Sequence, residues 1–141
     1  MLNDNKIREL IENAEKARTR SYSPYSNFKV GAALLAGNGK IFTGCNIENA
    51  AFSPTNCAER TAFFKAVSEG IREFTAIAIV GGKDGEEREF CSPCGVCRQV
   101  MMEFVDPKTF EVIMAKGTRE YRISTLAELL PYGFKPDNLG N

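Results

Sequence analysis

The sequence predicts an α/β fold, a mixed five-stranded sheet with helices packed on its faces, and three observations predict it. An amphipathic stretch at residues 5–20 opens the chain. A Gly37-Asn38-Gly39 turn joins two short apolar runs. Strand-like and helix-like segments alternate from there onward, the pattern of helices laid against a sheet. With 141 residues, 43% of them hydrophobic and 26% charged, the chain is expected to form a single domain over residues 1–141 with a core of its own.

Ile7, Leu10, Ile11, Ala14 and Ala17 recur at helical spacing with Arg8, Glu12, Glu15 and Lys16 between them, so residues 5–20 read as a helix. The segment Tyr22 to Asn27, with Pro24, ends it. Residues 28–36 and 40–45 form the first strand pair, because the glycines between them supply the positive φ that a tight hairpin requires. Asn56 or Thr55 is expected to cap a helix over residues 57–69, with Ala62, Phe63, Ala66 and Val67 as its apolar stripe and Gly70 just past its end. Residues 75–80 are a nearly continuous apolar run, the mark of a strand buried on both faces. A polar, Gly-rich loop follows at 81–90. Ser92 and Pro93 then read as the cap and first position of a helix reaching about Phe104. Strands at 109–115 and 120–123 and a short helix at 125–130, closed by Pro131, complete the pattern.

Eighteen Lys and Arg balance 18 Asp and Glu, and the pI is near 6.3, so no electrostatic footprint for nucleic acid or an anionic membrane is present. The longest apolar stretches, 31–37 and 76–82, fall far short of the ~18 residues a membrane span needs. The opening MLNDNKIREL contains no apolar signal region. The expectation is a soluble, cytoplasmic protein with neither nucleic acid nor membrane as partner.

The chemistry is concentrated in the cysteines. There are five, an odd number, and most sit in or beside short motifs instead of being spread as a disulfide framework would be. The absence of His excludes every His-based triad, general base and metal ligand, so a metal site must be built from Cys, Asp and Glu. Cys57-Ala58-Glu59 and, 37 positions after Cys57, Cys94 with Cys97 both open predicted helices. Helix N-termini lower thiol pKa toward the thiolate that metals bind, and a Cys-x-x-Cys pair puts two thiols within reach of one ion. Three protein ligands with an open fourth position make a catalytic zinc site, whereas four close a structural one. Cys91 or Cys45 could be that fourth ligand. An iron–sulfur run over Cys91, Cys94 and Cys97 lacks its fourth cysteine, because position 101 is Met. A thioredoxin-like redox pair would leave Cys57-Ala58-Glu59 without a role. Glu59 has two readings: a capping-box partner of Asn56, three residues before it, or a proton carrier beside the open coordination position.

Cys57-Ala58-Glu59 followed by Pro93-Cys94-Gly95-Val96-Cys97 resembles the signature of the zinc nucleoside deaminases, with Cys where some members carry His. The chain is similar to the cytidine deaminase family in its short, all-cysteine, homotetrameric form. The resemblance extends over about residues 5–139, through Tyr25 to Ala33, Gly44 to Ala50, Cys57 to Ala62, Ser92 to Gly95, Cys97 to Gln99 and Leu129 to Pro131. It implies a three-layer α/β/α cytidine deaminase-like fold and one Zn²⁺ per subunit on Cys57, Cys94 and Cys97. It further implies that Glu59 takes a proton from the attacking water and delivers it to N3 and then to the leaving amino group, so that ammonia departs and uridine forms. Arg60 would draw charge off the sulfurs, with the two helix N-termini. Asn46 and Glu48 would bind a ribose hydroxyl, Phe28 would wall the pocket, and Ala58 belongs to the same substrate-binding set. Phe134 would reach into a neighbouring subunit's site and stack on the base. Read without the family, Asn46 is a turn residue, Glu48 a surface carboxylate, Phe28 and Phe134 core aromatics and Arg60 a solvated helix charge.

A carboxylate facing the sugar would repel a 5′-phosphate, which favours free nucleosides over nucleotides. Phe52 is a departure, standing where a Tyr is frequent. The expected activity is deamination of cytidine and deoxycytidine in pyrimidine salvage. Two alternatives stand beside it: a deaminase of a cytosine-containing antibiotic nucleoside such as blasticidin S, and a non-catalytic zinc-binding module.

Overall fold

The computed structural model describes residues 1–140. Helix α1 (Asp4–Arg18) begins where the Asn3 side chain accepts the Lys6 N–H at 2.8 Å. Strands β1 (Lys29–Ala36) and β2 (Ile41–Cys45) form the expected hairpin, with Gly39 at φ 87°. Next come α2 (Ala58–Ser68), β3 (Phe74–Gly82), α3 (Gly95–Phe104), β4 (Glu111–Gly117), β5 (Glu120–Thr125), α4 (Leu126–Leu129) and a 3-10 turn at Pro136–Leu139. The five strands make one sheet in the order β2-β1-β3-β4-β5, with β3 and β4 parallel and every other pair antiparallel. A mixed sheet is therefore observed, as expected.

Alternation along the strands sorts the core into two layers. Ala33, Leu35, Ala76, Ala78, Val80, Ile113 and Ala115 face α1, whose Ile7, Leu10, Ile11 and Ala14 cover them. The opposite residues Ala32, Leu34, Ile77, Ile79, Val112 and Met114 face Phe63, Met101 and Leu126 of α2, α3 and α4. The small residues of β1 and β3 let α1 approach closely. A Cβ on Gly31 would stand 2.0 Å from the Ala14 carbonyl oxygen and 2.5 Å from the Arg18 nitrogen, both backbone atoms that cannot swing away. Gly31→Ala is accordingly expected to cost about 3 kcal/mol or more, at the upper end of overpacking penalties. Chemical denaturation checks this, and a loss under about 1 kcal/mol would show that α1 can slide outward.

The structure corrects four local expectations. Cys57, not Asn56 or Thr55, is the N-cap of α2, so Glu59 is the second helical residue and the Asn56–Glu59 capping box does not form. Asn56 instead donates its side-chain amide to Thr61 Oγ1 at 3.2 Å. Cys94, not Ser92, is the N-cap of α3, and Pro93 lies outside the helix. β3 runs through Gly81 and Gly82 because their backbones pair with Val30 and Lys29, although the glycines read as loop. Finally, β5 extends to Thr125, which also caps α4 through a capping box with Glu128.

Candidate metal centre

Both cap corrections have one consequence: the two cysteines at helix starts make no capping hydrogen bond, and their sulfurs turn toward each other instead. Cys57 Sγ lies 3.8 Å from Cys94 Sγ, which lies 3.6 Å from Cys97 Sγ, and all three ligand atoms fall within 4.8 Å of one another. Zinc–sulfur bonds of about 2.3 Å in a tetrahedron put the sulfurs about 3.8 Å apart, so the thiols fit a tetrahedral zinc ion with one vertex left over. Among the described residues, neither Cys91 nor Cys45 joins the group. Cys45 contacts the Arg20 carbonyl at 3.4 Å, and burial raises its thiol pKa.

Cys91 is held away from metal chemistry by its surroundings. Burial pushes its thiol up to about 12, with the negative charges of Glu59 and Cys57 adding to the shift, so it stays protonated while its neighbours can ionise. Its sulfur packs on the β3 backbone, 2.7 Å from where a Gly81 Cβ would be. Cys91→Ser is expected to leave one zinc per chain, measured by elemental analysis of the purified protein. Loss of zinc in that variant would turn the open site into a closed, structural one.

The three cysteines share their protons unequally. Hydrogen bonding from Cys97 and then from Arg60 lowers Cys57 to about 5 despite partial burial, and Cys97 is raised because it keeps the proton it donates to Cys57. Cys57 and Cys94 are the N-caps of α2 and α3, so the positive ends of both helix dipoles favour thiolate further. Arg60 Nη2 donates to Cys57 Sγ at 3.2 Å, and its buried Nε has no hydrogen-bond partner among the described residues. Arg60 is thus turned inward on the sulfurs rather than solvated.

Glu59 is 4% exposed, a carboxylate committed to the interior two residues beyond the cap. Burial raises it to about 7; the Cys57 charge adds to that rise, while its own backbone N–H, Arg60 and Cys97 oppose it. Such a group exchanges a proton near neutral pH, which suits a general acid–base role. Ala58, between Cys57 and Glu59, is completely buried.

A second wall of the site is built from loops. Ile47 exchanges backbone hydrogen bonds with Asn56, the residue before Cys57, which ties the 46–48 segment to the metal cluster. Asn46 donates its amide to the Phe28 carbonyl at 2.8 Å and accepts from the Val30 N–H at 2.9 Å and the Ser21 hydroxyl. Glu48 accepts from the Tyr25 and Ser26 N–H groups at 2.9 and 3.2 Å and from the Ser26 hydroxyl. Hydrogen bonding by Ser26 holds the Glu48 carboxyl below its usual pKa. Counting donors and lone pairs, Asn46 keeps one N–H and Glu48 one acceptor position on Oε2, the oxygen bound by the Ser26 hydroxyl. The Phe28 ring edge lies beside Cys91 and Gly81 and is 41% exposed, so it is not a core aromatic. A groove of about 370 Å³ lined by Tyr25, Ser26, Glu48, Phe52 and Thr55 flanks this wall; none of the three cysteines lines it. Phe52 stands there at φ 61°, unusual for a bulky side chain, with its ring edge-to-face on Tyr25 at 6.1 Å.

Phe134 is 55% exposed on the C-terminal segment, so it is not a core aromatic. That segment is tethered by residues that sequence reasoning left without a role. Gln99 donates to the Phe134 carbonyl at 2.9 Å, while Arg98 bridges the Pro93 carbonyl, the Ser92 hydroxyl and the Leu129 carbonyl. The loop at 83–90 is anchored in a similar way. Asp84 pairs with Arg18 and Lys29, and Arg88 pairs with Glu15. The signal for these anchors, an Arg next to a ligand cysteine and charges in a Gly-rich loop, is too common to have found them.

Comparison with known proteins agrees with this geometry. The family model for the cytidine and deoxycytidylate deaminase zinc-binding region matches residues 4–114. A cytidine deaminase of Sporosarcina psychrophila is 50% identical over 133 residues, covering 94% of this chain and 94% of the relative. Another, from Halalkalibacterium halodurans, is 45% identical over 132 residues, 94% of this chain and 96% of the relative. The crystal structure of cytidine deaminase from Burkholderia pseudomallei matches with a TM-score of 0.80 at 50% identity, over 89% of this chain and 97% of that one. That from Mycobacterium tuberculosis gives 0.79 at 34% identity, over 95% and 98%. A thiol triad of zinc dimensions, inside a fold and sequence shared with these proteins over nearly their whole length, means that the chain belongs to the cytidine and deoxycytidylate deaminase family.

Proposed function

We propose that the protein is a zinc-dependent hydrolase that converts cytidine and deoxycytidine to uridine and deoxyuridine, consuming water and releasing ammonia. The observation that carries this reading is a buried carboxylate, Glu59, placed beside three cysteine sulfurs that leave one vertex of a tetrahedron free. Cys57, Cys94 and Cys97 would hold the zinc, which supplies Lewis-acid polarisation of the attacking water. Glu59 would accept a proton from that water as its oxygen bonds to C4 and pass it to N3 of the base; it would then move the second proton, from the new C4 hydroxyl, to the exocyclic amino group, so that the C4–N bond breaks and ammonia leaves. Arg60 and the two helix N-termini offset the negative charge of the sulfurs.

The remaining hydrogen-bonding capacity of Asn46 and Glu48 would take up a ribose hydroxyl, and Phe28 would pack against the nucleoside. The buried Ala58, between Cys57 and Glu59, belongs with them on the substrate side. A carboxylate at the sugar end disfavours a 5′-phosphate, and the balanced overall charge supports a neutral nucleoside rather than a polynucleotide. Exposed Phe134, Tyr132 and Phe52 support a homotetramer in which Phe134 completes a neighbour's site. A role in pyrimidine salvage, in the cytoplasm, accords with that substrate class; no helix among the described residues is long and apolar enough to cross a membrane.

The test is a spectrophotometric assay of purified, zinc-loaded protein with cytidine. Stoichiometric conversion to uridine and ammonia is expected. A folded, zinc-loaded protein without turnover would reject the reading.

A further inference from the structure

The turn at residues 25–28 is exposed along its whole length, and its packing is limited to the Tyr25 ring on Phe52 and the Phe28 ring edge beside Gly81. Hydrogen bonds must therefore set its shape. One side chain occupies the centre of them. The Ser26 hydroxyl donates to Glu48 Oε2 and accepts the Phe28 N–H at 3.0 Å, while the Ser26 N–H donates to Glu48 Oε1 at 3.2 Å. Asn27, between Ser26 and Phe28, is at φ 59°, a left-handed turn that brings the Phe28 N–H back onto the Ser26 oxygen. The Phe28 carbonyl is held separately by Asn46. One hydroxyl thus holds the second oxygen of the carboxylate assigned to the sugar, whose first oxygen the Tyr25 and Ser26 N–H groups hold, and also the peptide that carries the aromatic wall.

We propose that Ser26 is a positioning residue for nucleoside binding, locking Glu48 and Phe28 into a single preset geometry. This rests on the assignment of Glu48 and Phe28 to the substrate pocket made above. Without the hydroxyl, Glu48 keeps two backbone donors on one oxygen but loses the bond that orients the other, the oxygen with acceptor capacity to spare. Phe28 meanwhile loses the partner of its N–H. Both effects weaken substrate binding, and neither touches the sulfurs or Glu59. Ser26 therefore acts on KM and leaves the chemical step alone.

The experiment compares steady-state kinetics of Ser26→Ala, Ser26→Thr and Ser26→Cys with the parent, each zinc-loaded, with zinc content and melting temperature measured in parallel. Ser26→Ala is expected to raise KM for cytidine about tenfold with kcat within about twofold, the size of effect that loss of a hydrogen bond to a charged group produces. Ser26→Thr, which keeps the hydroxyl, is expected to stay within about twofold of the parent KM, and Ser26→Cys, with only a weak donor, to resemble Ala. In a Glu48→Gln background the Ser26→Ala effect should shrink to about twofold, because the two act through one bond. An unchanged KM in Ser26→Ala, a loss confined to kcat, full additivity with Glu48→Gln, or a Cys variant that binds normally would each overturn the proposal. Absence of cytidine turnover in the parent protein would instead reject the function on which it rests.

Discussion

Glu59→Gln leaves a folded protein with one zinc per chain and cuts cytidine turnover by roughly 10²- to 10⁴-fold, the contribution of a positioned acid–base group. The amide has the shape of the carboxylate but can neither take a proton from water nor return one to the amino group. Stability is not expected to suffer. Burial raises the Glu59 carboxyl to about 7, so in the metal-free protein the proton is bound more tightly folded than unfolded. The stability tied to this group is complete below the unfolded carboxylate pKa and lost as pH rises toward 7, so at neutral pH the ionised form is a cost that Gln removes. Turnover, zinc content by elemental analysis and the melting curve of the metal-free protein are the three readouts. Turnover within tenfold of the parent would reject Glu59 as the proton carrier. Loss of zinc along with activity would show that the carboxylate serves the metal site instead of the substrate.

The fold was legible where one element follows one pattern. The spacing of Ile7, Leu10, Ile11 and Ala14 predicts a helix that the structure places at Asp4–Arg18, and the apolar run from Thr75 gives the buried β3. The misreadings cluster at the site. Ser92-Pro93 and Asn56 carry stronger capping propensity than any cysteine, yet Cys94 and Cys57 occupy the caps, because an extended cap residue with no hydrogen bond to its own helix is free to aim its sulfur at a shared point. Gly81 and Gly82 read as loop, but the absent Cβ is what lets β3 continue past Cys91, Phe28 and Arg88. Local rules lost where the chemistry sits, as expected of functional sites.

The metal ligands were readable because thiol chemistry, spacing and helix starts constrain them together. Asn46 and Glu48 were singled out as proposed substrate contacts only by family resemblance, and most of their hydrogen-bonding capacity serves the protein's own loops. The anchoring bonds of Ser26, Arg98 and Gln99 were not readable at all. Each acts by holding a backbone atom or a side chain of a distant segment, such as Gln99 on the Phe134 carbonyl 35 residues away, and no periodicity encodes such a pairing.

Arg60→Ala is expected to lower kcat/KM for cytidine about 10- to 100-fold, the usual range for a residue that tunes a metal through its ligands. Three thiolates on a divalent ion carry a net charge of minus one, which makes the ion a weaker Lewis acid than neutral ligands would. Arg60 restores neutrality at short range: its guanidinium reaches Cys57 Sγ at 3.2 Å from a partly buried position, where an ion pair is screened less than at the surface. Its removal also withdraws a positive charge that now lowers the Glu59 pKa, so the carboxylate becomes harder to ionise just where it must accept a proton. Both changes act on the same step and in the same direction. Arg60→Lys should recover part of the loss, because a point charge replaces the fork but cannot reach the sulfur with the same planar geometry. The measurement is kcat/KM for the three proteins at matched zinc content, with chelator competition as the second readout. Weaker zinc retention in Arg60→Ala would place the residue's effect on metal affinity, unchanged retention would place it on the reactivity of the bound ion, and an Ala variant within twofold of the parent would remove Arg60 from the site's charge balance.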